Sequence, residues 1–189
     1  MSAAPAPAAG QAVLDRFAER LALAHVEVRR APAGEIAAEA ALVCAERAVR
    51  RLGVPPGLPS GWRPAGVDVV EDDELTPAQL DGLDAALTGC TLAVAETGSL
   101  VLAAGPADGR RALSLVPDVY LCVVLEEQVV PDLPDAVARL APAIRSTGRP
   151  VVFVSGPSAT SDIELHRVEG VHGPRQLIVI LASDPVPAG

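Results

Sequence analysis

Val13, Leu14, Phe17 and Leu21 recur at helical spacing and predict an amphipathic helix over Gln11–Ala24. His25-Val26-Glu27-Val28-Arg29 then alternates polar and apolar side chains, as a short strand does. A second helix is expected from Gly34 to Leu52. There Ile36, Ala40, Val43 and Arg47 form one row, with Ala37, Ala41, Cys44 and Ala48 beside it. Gly53 reads as its stop, and Val54-Pro55-Pro56-Gly57-Leu58-Pro59 is too rich in proline for regular helix. Val67–Val70 predicts a strand. Thr76-Pro77 opens a helix through Leu87, with Thr as N-cap and Pro at the first helical position.

The second half alternates more openly. Thr91–Ala95 and Ser99–Ala103 are apolar runs separated by Glu96-Thr97-Gly98. A helical turn or two is expected in Asp108–Leu115, a buried strand in Val119–Leu125, a helix in Asp132–Ile144 and a strand in Val151–Val154. Gly156-Pro157-Ser158 breaks the chain, a short helix is expected near Ser161, and Leu177–Leu181 closes with a strand. Apolar strands without alternation, separated by helices, imply a mainly parallel sheet covered on both faces. Ligands of such sheets sit at the carboxyl ends of the strands. The expected organisation is a flexible tail over 1–10, an N-terminal helical extension over 11–33, one α/β domain over 34–182 and a C-terminal tail over 183–189.

Composition narrows the function classes. In 189 residues, half are hydrophobic but only 2% are aromatic, so the core is aliphatic and base-stacking platforms are nearly absent. The net charge of −9 opposes a phosphate-tracking surface, and nucleic acid is not expected as a partner. All 15 basic residues are arginine, which excludes a P-loop lysine, a Schiff-base lysine and a lysine general base. Cys44, Cys90 and Cys122 are scattered, with no C-x-x-C, so no metal or cluster site is expected in this chain alone. No apolar stretch reaches the roughly 20 residues of a membrane span. Met1–Gly10 lacks the basic and apolar regions of a secretory signal. A soluble, cytoplasmic protein is expected.

Three segments carry candidate chemistry. In Ala95-Glu96-Thr97-Gly98-Ser99, Glu96 beside Gly98 and two hydroxyls could bind a polar ligand or act as nucleophile or base. The same residues also make a tight turn, with Gly98 at positive φ and Thr97 and Ser99 completing its hydrogen bonds. The second segment runs from Ser155 to Glu164. Ser155, Gly156, Ser158, Thr160 and Ser161 after a buried strand could cradle phosphate or carboxylate on backbone N–H groups. A capping box from Ser161 to Glu164, enclosing Asp162, accounts for Ser161 and Glu164 without a ligand but not for Ser155 and Ser158. The third is Gly170-Val171-His172-Gly173-Pro174, where His172 is either an acid/base group or a solvated loop residue. Arg110-Arg111 reads as a solvated pair or, through Arg111, as an anion clamp. Glu71-Asp72-Asp73-Glu74 reads as a solvated acidic loop.

Taken in order, Ala95 to Leu102, then Ser155 to Glu164, then Gly170 to Pro174 resemble the lactate utilization protein C family, whose unit is the LUD domain. The resemblance covers roughly Gly34 to Ala182. It implies a three-layer α/β/α sandwich similar to the ribose-5-phosphate isomerase, glucosamine-6-phosphate deaminase and CoA-transferase group. It further implies a part in bacterial oxidation of L-lactate to pyruvate, in a three-component system with two iron–sulfur proteins. This chain would then be the component with no redox cofactor of its own, its electrons passing through iron–sulfur clusters in the partners. Glu-Thr-Gly also resembles the Glu-Asn-Gly segment of class I CoA-transferases, which would make Glu96 a nucleophile towards a thioester. A module that binds a small carboxylate or phosphate is the third reading.

Overall fold

The computed structural model describes residues 10–157, 159–160, 168–169 and 173–183. In chain order the elements are α1 (Gln11–Leu23), β1 (Glu27–Pro32), α2 (Ile36–Glu46), β2 (Arg51–Val54), β3 (Asp68–Glu71), α3 (Pro77–Asp81) and β4 (Ala85–Thr88). They continue with β5 (Leu92–Val94), β6 (Ser99–Leu102), β7 (Val119–Leu125), β8 (Val129–Val130) and α4 (Leu133–Thr147). β9 (Val152–Val154), β10 (Ala159–Thr160), β11 (Val168–Glu169) and β12 (Gln176–Ser183) complete the set.

A six-stranded sheet in the order β1-β12-β7-β4-β2-β3 forms the centre, and every pairing in it is parallel. β7 and β12 lie inside it and are apolar on both faces, as the unbroken runs in the sequence require. Strand alternation sorts their side chains. Tyr120, Cys122 and Val124 join Leu177, Val179 and Leu181 on one face, with Phe17 and Leu21 of α1. Val119, Leu121 and Val123 join Ile178 and Ile180 on the other, under Ile36, Ala40, Val43 and Cys44 of α2. This is the α/β architecture expected, with helices against both faces of a parallel sheet. Residues 11–33 are integral to it, because α1 buries Leu14, Phe17 and Leu21 and β1 pairs with β12.

A second sheet, in the order β8-β5-β6-β9, was not legible in the sequence. Ala93, Leu100 and Leu102 turn one of its faces toward the central sheet. Leu92, Val94, Val101 and Val130 turn the other toward Ala136 and Leu140 of α4.

Two helices end earlier than the apolar spacing predicts. α2 stops at Glu46, and residues 51–54 form β2. Ala48 adopts φ 54°, with Ala48 N–H donating to Ala45 O and Val49 N–H to Cys44 O. That is a Schellman ending with alanine at the left-handed position. α1 ends the same way at His25, with φ 59° and Val26 N–H donating to Leu21 O. α3 has the expected Thr76 N-cap, which Gln79 closes into a capping box, but the helix stops at Asp81, and residues 85–88 are β4 rather than helix. Asp84 turns the chain: its carboxylate accepts from the N–H groups of Arg50 and Arg51 at 2.8 and 2.9 Å. Its own N–H donates to Arg51 O. Asp108–Leu115 holds the helical turns expected there, with Leu113 N–H donating to Arg110 O and the Leu115 and Val116 N–H groups to Ala112 O.

Candidate functional site

The Glu96 segment is the turn of the β5–β6 hairpin. Val94 pairs with Ser99, leaving Ala95 to Gly98 as the loop. The N–H groups of Ala95 and Glu96 donate to Val130 O and Pro131 O, which brace the turn on β8. Gly98 adopts φ +65°, and a Cβ there would stand 2.8 Å from Arg20 Cβ and 3.1 Å from Leu21 N. The turn therefore packs directly on the backbone of α1. Glu96 and Thr97 are exposed, while Ser99 is buried.

Two of the sequence's candidate segments meet here. β6 runs antiparallel to β9, with Leu100 opposite Val154, so the next residues along, Ser99 and Ser155, face each other. Their hydroxyl oxygens are 2.6 Å apart, and Thr97 Oγ1 is 2.8 Å from Ser99 Oγ. Gly156 follows, close to α1 as well: a Cβ there would lie 3.4 Å from Ala24 O. A row of three hydroxyls thus runs from a buried residue to two exposed ones, between the turn, β9 and the end of α1. It can offer both donors and acceptors to a small polar ligand, with the Glu96 carboxylate on the same turn.

Arg111 stands elsewhere. It is exposed and lines a pocket of about 100 Å³ with Leu102 and Val152. Those residues lie three positions along β6 and β9 from the serines, roughly 10 Å at strand rise. Its neighbour Arg110 is not free. Arg110 Nε and Nη2 donate to Asp72 at 2.7 and 2.6 Å, and the Asp72 side chain is only 1% exposed. The acidic run over Glu71–Glu74 is therefore not a wholly solvated loop, because its second carboxylate is buried in a fork with a guanidinium. This pairing raises the Arg110 pKa.

Thr160 lies in β10, which pairs with β11. Ser158, Ser161, Asp162, Glu164 and His172, together with the short helix and its capping box, lie outside the described residues. Among the described residues no group of three or more His, Cys, Asp or Glu side chains could hold a metal ion. No helix there is long and apolar enough to cross a membrane. The three cysteines are buried as free thiols. Burial pushes the Cys44 pKa up to about 11. For Cys90, the adjacent Cys122 thiol and then burial raise it.

Sequence reasoning missed one feature at the carboxyl ends of the central strands. A cleft of about 270 Å³ opens there, lined by Arg30 and Pro32 of β1, Leu181 and Ser183 of β12, and Glu126 just after β7. The rule that ligands sit at these ends could have drawn attention to Arg30 and Ser183. Asp108 was missed too. It is buried, and its Oδ2 accepts from Thr91 Oγ1 at 2.5 Å and from the Ala103 N–H at 2.9 Å.

A parallel sheet with a hydroxyl-bearing hairpin turn packed against its first helix defines an α/β protein with a small cluster of hydroxyls outside the central sheet. The chain belongs to the LUD domain family, whose model matches residues 14–182. It is 44% identical over 185 residues to lactate utilization protein C of Deinococcus radiodurans, covering 95% of this chain and 84% of that protein. It is 31% identical over 130 residues to lactate utilization protein C of a Geobacillus strain, 65% of this chain and 54% of that one. The chain therefore spans most of the Deinococcus relative and about half the length of the Geobacillus one. Among solved structures it resembles a DUF162 family protein from Deinococcus radiodurans, with TM-score 0.80 and 37% identity, covering 93% of this chain and 99% of that one.

Proposed function

We propose that this protein is a component of bacterial lactate utilization that carries no redox centre and works with iron–sulfur partner proteins in oxidising L-lactate to pyruvate. The observation that carries this reading is the 44% identity, over nearly the whole chain, to a protein named lactate utilization protein C. The place of action is the hydroxyl junction of Thr97, Ser99 and Ser155, with Gly98 and Gly156 allowing the close approach to α1 and Glu96 at the mouth. It would hold a small carboxylate or phosphate, supplemented by Ser158, Thr160, Ser161, Asp162, Glu164 and His172 from the following segment. The electrons released from lactate would pass to clusters in the partners, and the protein would act in the cytoplasm.

Deletion of the gene tests this directly. Growth on L-lactate should fail and be restored by the wild-type gene, while growth on glucose is unchanged. Undiminished growth of the deletion strain on L-lactate as sole carbon source would overturn the reading.

A further inference from the structure

The chain leaves β1 and β7 toward opposite faces of the central sheet. After β1 it enters α2, which covers the face of Leu121 and Ile178. After β7 it passes through Glu126–Gln128 into β8 of the second sheet, on the face of Tyr120 and Leu177. β12 lies between the two strands and pairs with both. Connections that diverge in this way open a crevice beyond the carboxyl ends of a parallel sheet, and α/β proteins bind their ligands in such crevices. The cleft of about 270 Å³ stands there. Small-molecule sites start at about 300 Å³, so a ligand of few atoms is the right size.

Three polar side chains reach the cleft from three different strand ends: Arg30 from β1, Glu126 after β7 and Ser183 from β12. Ala31 and Ala182 pack on the α2 face, so alternation turns Arg30, Leu181 and Ser183 to the face of α1. Arg30 is steadied from α1, because its Nη2 donates to Asp15 Oδ1 at 3.1 Å. That bond leaves Nε and Nη1 for a ligand. Glu126 is half-buried, and among the described residues no cation lies within 4.0 Å of its carboxylate. The hydroxyl junction is a different place. It packs beside Leu21 and Ala24, and Leu21 is six residues beyond Asp15 on α1, roughly 9 Å at helix rise.

We propose that this cleft binds a free α-amino acid, with its carboxylate on Arg30, its ammonium on Glu126 and Ser183, and its side chain along Leu181 and Pro32. The pairing of opposite charges selects the class. A phosphate or a simple carboxylate would meet Arg30 but would set its charge against Glu126 and Asp15. An amine without a carboxylate would leave the guanidinium unused. A zwitterion answers both groups at once. The inference goes beyond the functional reading above and does not rest on it.

Calorimetry on the full chain tests it, by titrating each of the standard amino acids. At least one should bind, with one molecule per chain. Its 2-hydroxy acid analogue, which lacks the ammonium, and its decarboxylated amine, which lacks the carboxylate, should each bind at least tenfold more weakly. Glu126→Gln keeps the side chain's length and removes its charge, and it should weaken binding at least tenfold. Arg30→Gln should do the same, with the fold of both variants verified by circular dichroism. Absence of binding by every amino acid would overturn the proposal. Equal binding of the hydroxy acid, or undiminished binding by Glu126→Gln, would overturn it too. Failure here leaves the lactate growth test unaffected, and failure of that growth test leaves the cleft unaffected.

Discussion

Ser99 Oγ lies 2.6 Å from Ser155 Oγ, across 56 residues of sequence. The antiparallel register of β6 and β9 creates that contact and makes one site of two segments. An intramolecular hydrogen bond contributes about 0.5–1.5 kcal/mol net. Ser99→Ala and Ser155→Ala should therefore couple, with an interaction energy of about 1 kcal/mol in a double-mutant cycle measured by urea unfolding. Strict additivity would mean that each hydroxyl bonds water instead.

Gly98 and Gly148 have nearly the same backbone, with φ +65° and +62°, but different surroundings. A Cβ at Gly98 meets α1 at 2.8 Å, whereas at Gly148, after α4, it meets nothing within 4 Å. Gly148→Ala should cost about 1 kcal/mol from the left-handed backbone alone. Gly98→Ala should cost at least about 1 kcal/mol more, because the helix or the turn must shift. Equal losses for the two variants would show that the turn is free to move away from α1.

What was legible in the sequence follows from how far each interaction reaches along the chain. β7 and β12 were readable because strands buried on both faces are apolar at every position, a signal contained within eight residues. The ends of α2 and α3 were not. Ala48 takes the left-handed capping position after α2 that glycine usually marks. Ala85 and Ala86 form a central strand without the β-branched residues that announce one. The hairpin turn at Glu96 was visible locally, but its meeting with Ser155 depends on strand register between distant segments. The same holds for Asp72 and Arg110, whose adjacent charges each looked solvated.

The Asp72–Arg110 fork carries a prediction of its own. Arg110→Met keeps the stem but leaves a carboxylate that is 1% exposed without its guanidinium. Breaking a fully buried ion pair costs about 3–5 kcal/mol. Arg110 is 41% exposed and Asp72 keeps a bond from the Leu75 N–H, so the expected loss is smaller, on the order of 2 kcal/mol. Asp72→Asn/Arg110→Met should recover part of it, since the buried charge is gone. No recovery in the double variant, measured by chemical denaturation at pH 7, would place the loss in packing of the arginine stem.

Asp84 gives the stability an acid-dependent part. The N–H groups of Arg51 and then Arg50 hold its carboxyl below the usual carboxylate range. Its folded pKa is thus depressed relative to the unfolded value of about 3.9. The contribution is present in full above that value and is lost as pH falls through the folded pKa. It is modest, because the carboxylate faces water. Wild type should be more stable than Asp84→Asn at pH 7, and the difference should shrink below pH of about 4. A difference that stays constant from pH 7 to pH 2.5 would assign the effect to geometry rather than charge.

Glu96 decides whether the hairpin turn is a site or only a turn. The turn's geometry is supplied by Gly98, by the Ala95 and Glu96 N–H bonds to Val130 and Pro131, and by the Thr97–Ser99 hydroxyl contact. None of these uses the Glu96 carboxylate, which is exposed. Glu96→Gln keeps the side chain's length and should change stability by less than about 0.5 kcal/mol, as surface substitutions do. If the carboxylate serves the site, the folded variant should fail to restore growth of the deletion strain on L-lactate. Ser155→Ala should restore it only in part, because Thr97 and Ser99 remain. The expected order of growth is therefore wild type, then Ser155→Ala, then Glu96→Gln, with equal amounts of each protein verified by immunoblot. Full growth with Glu96→Gln would leave this residue with a place in the loop and no part in the chemistry.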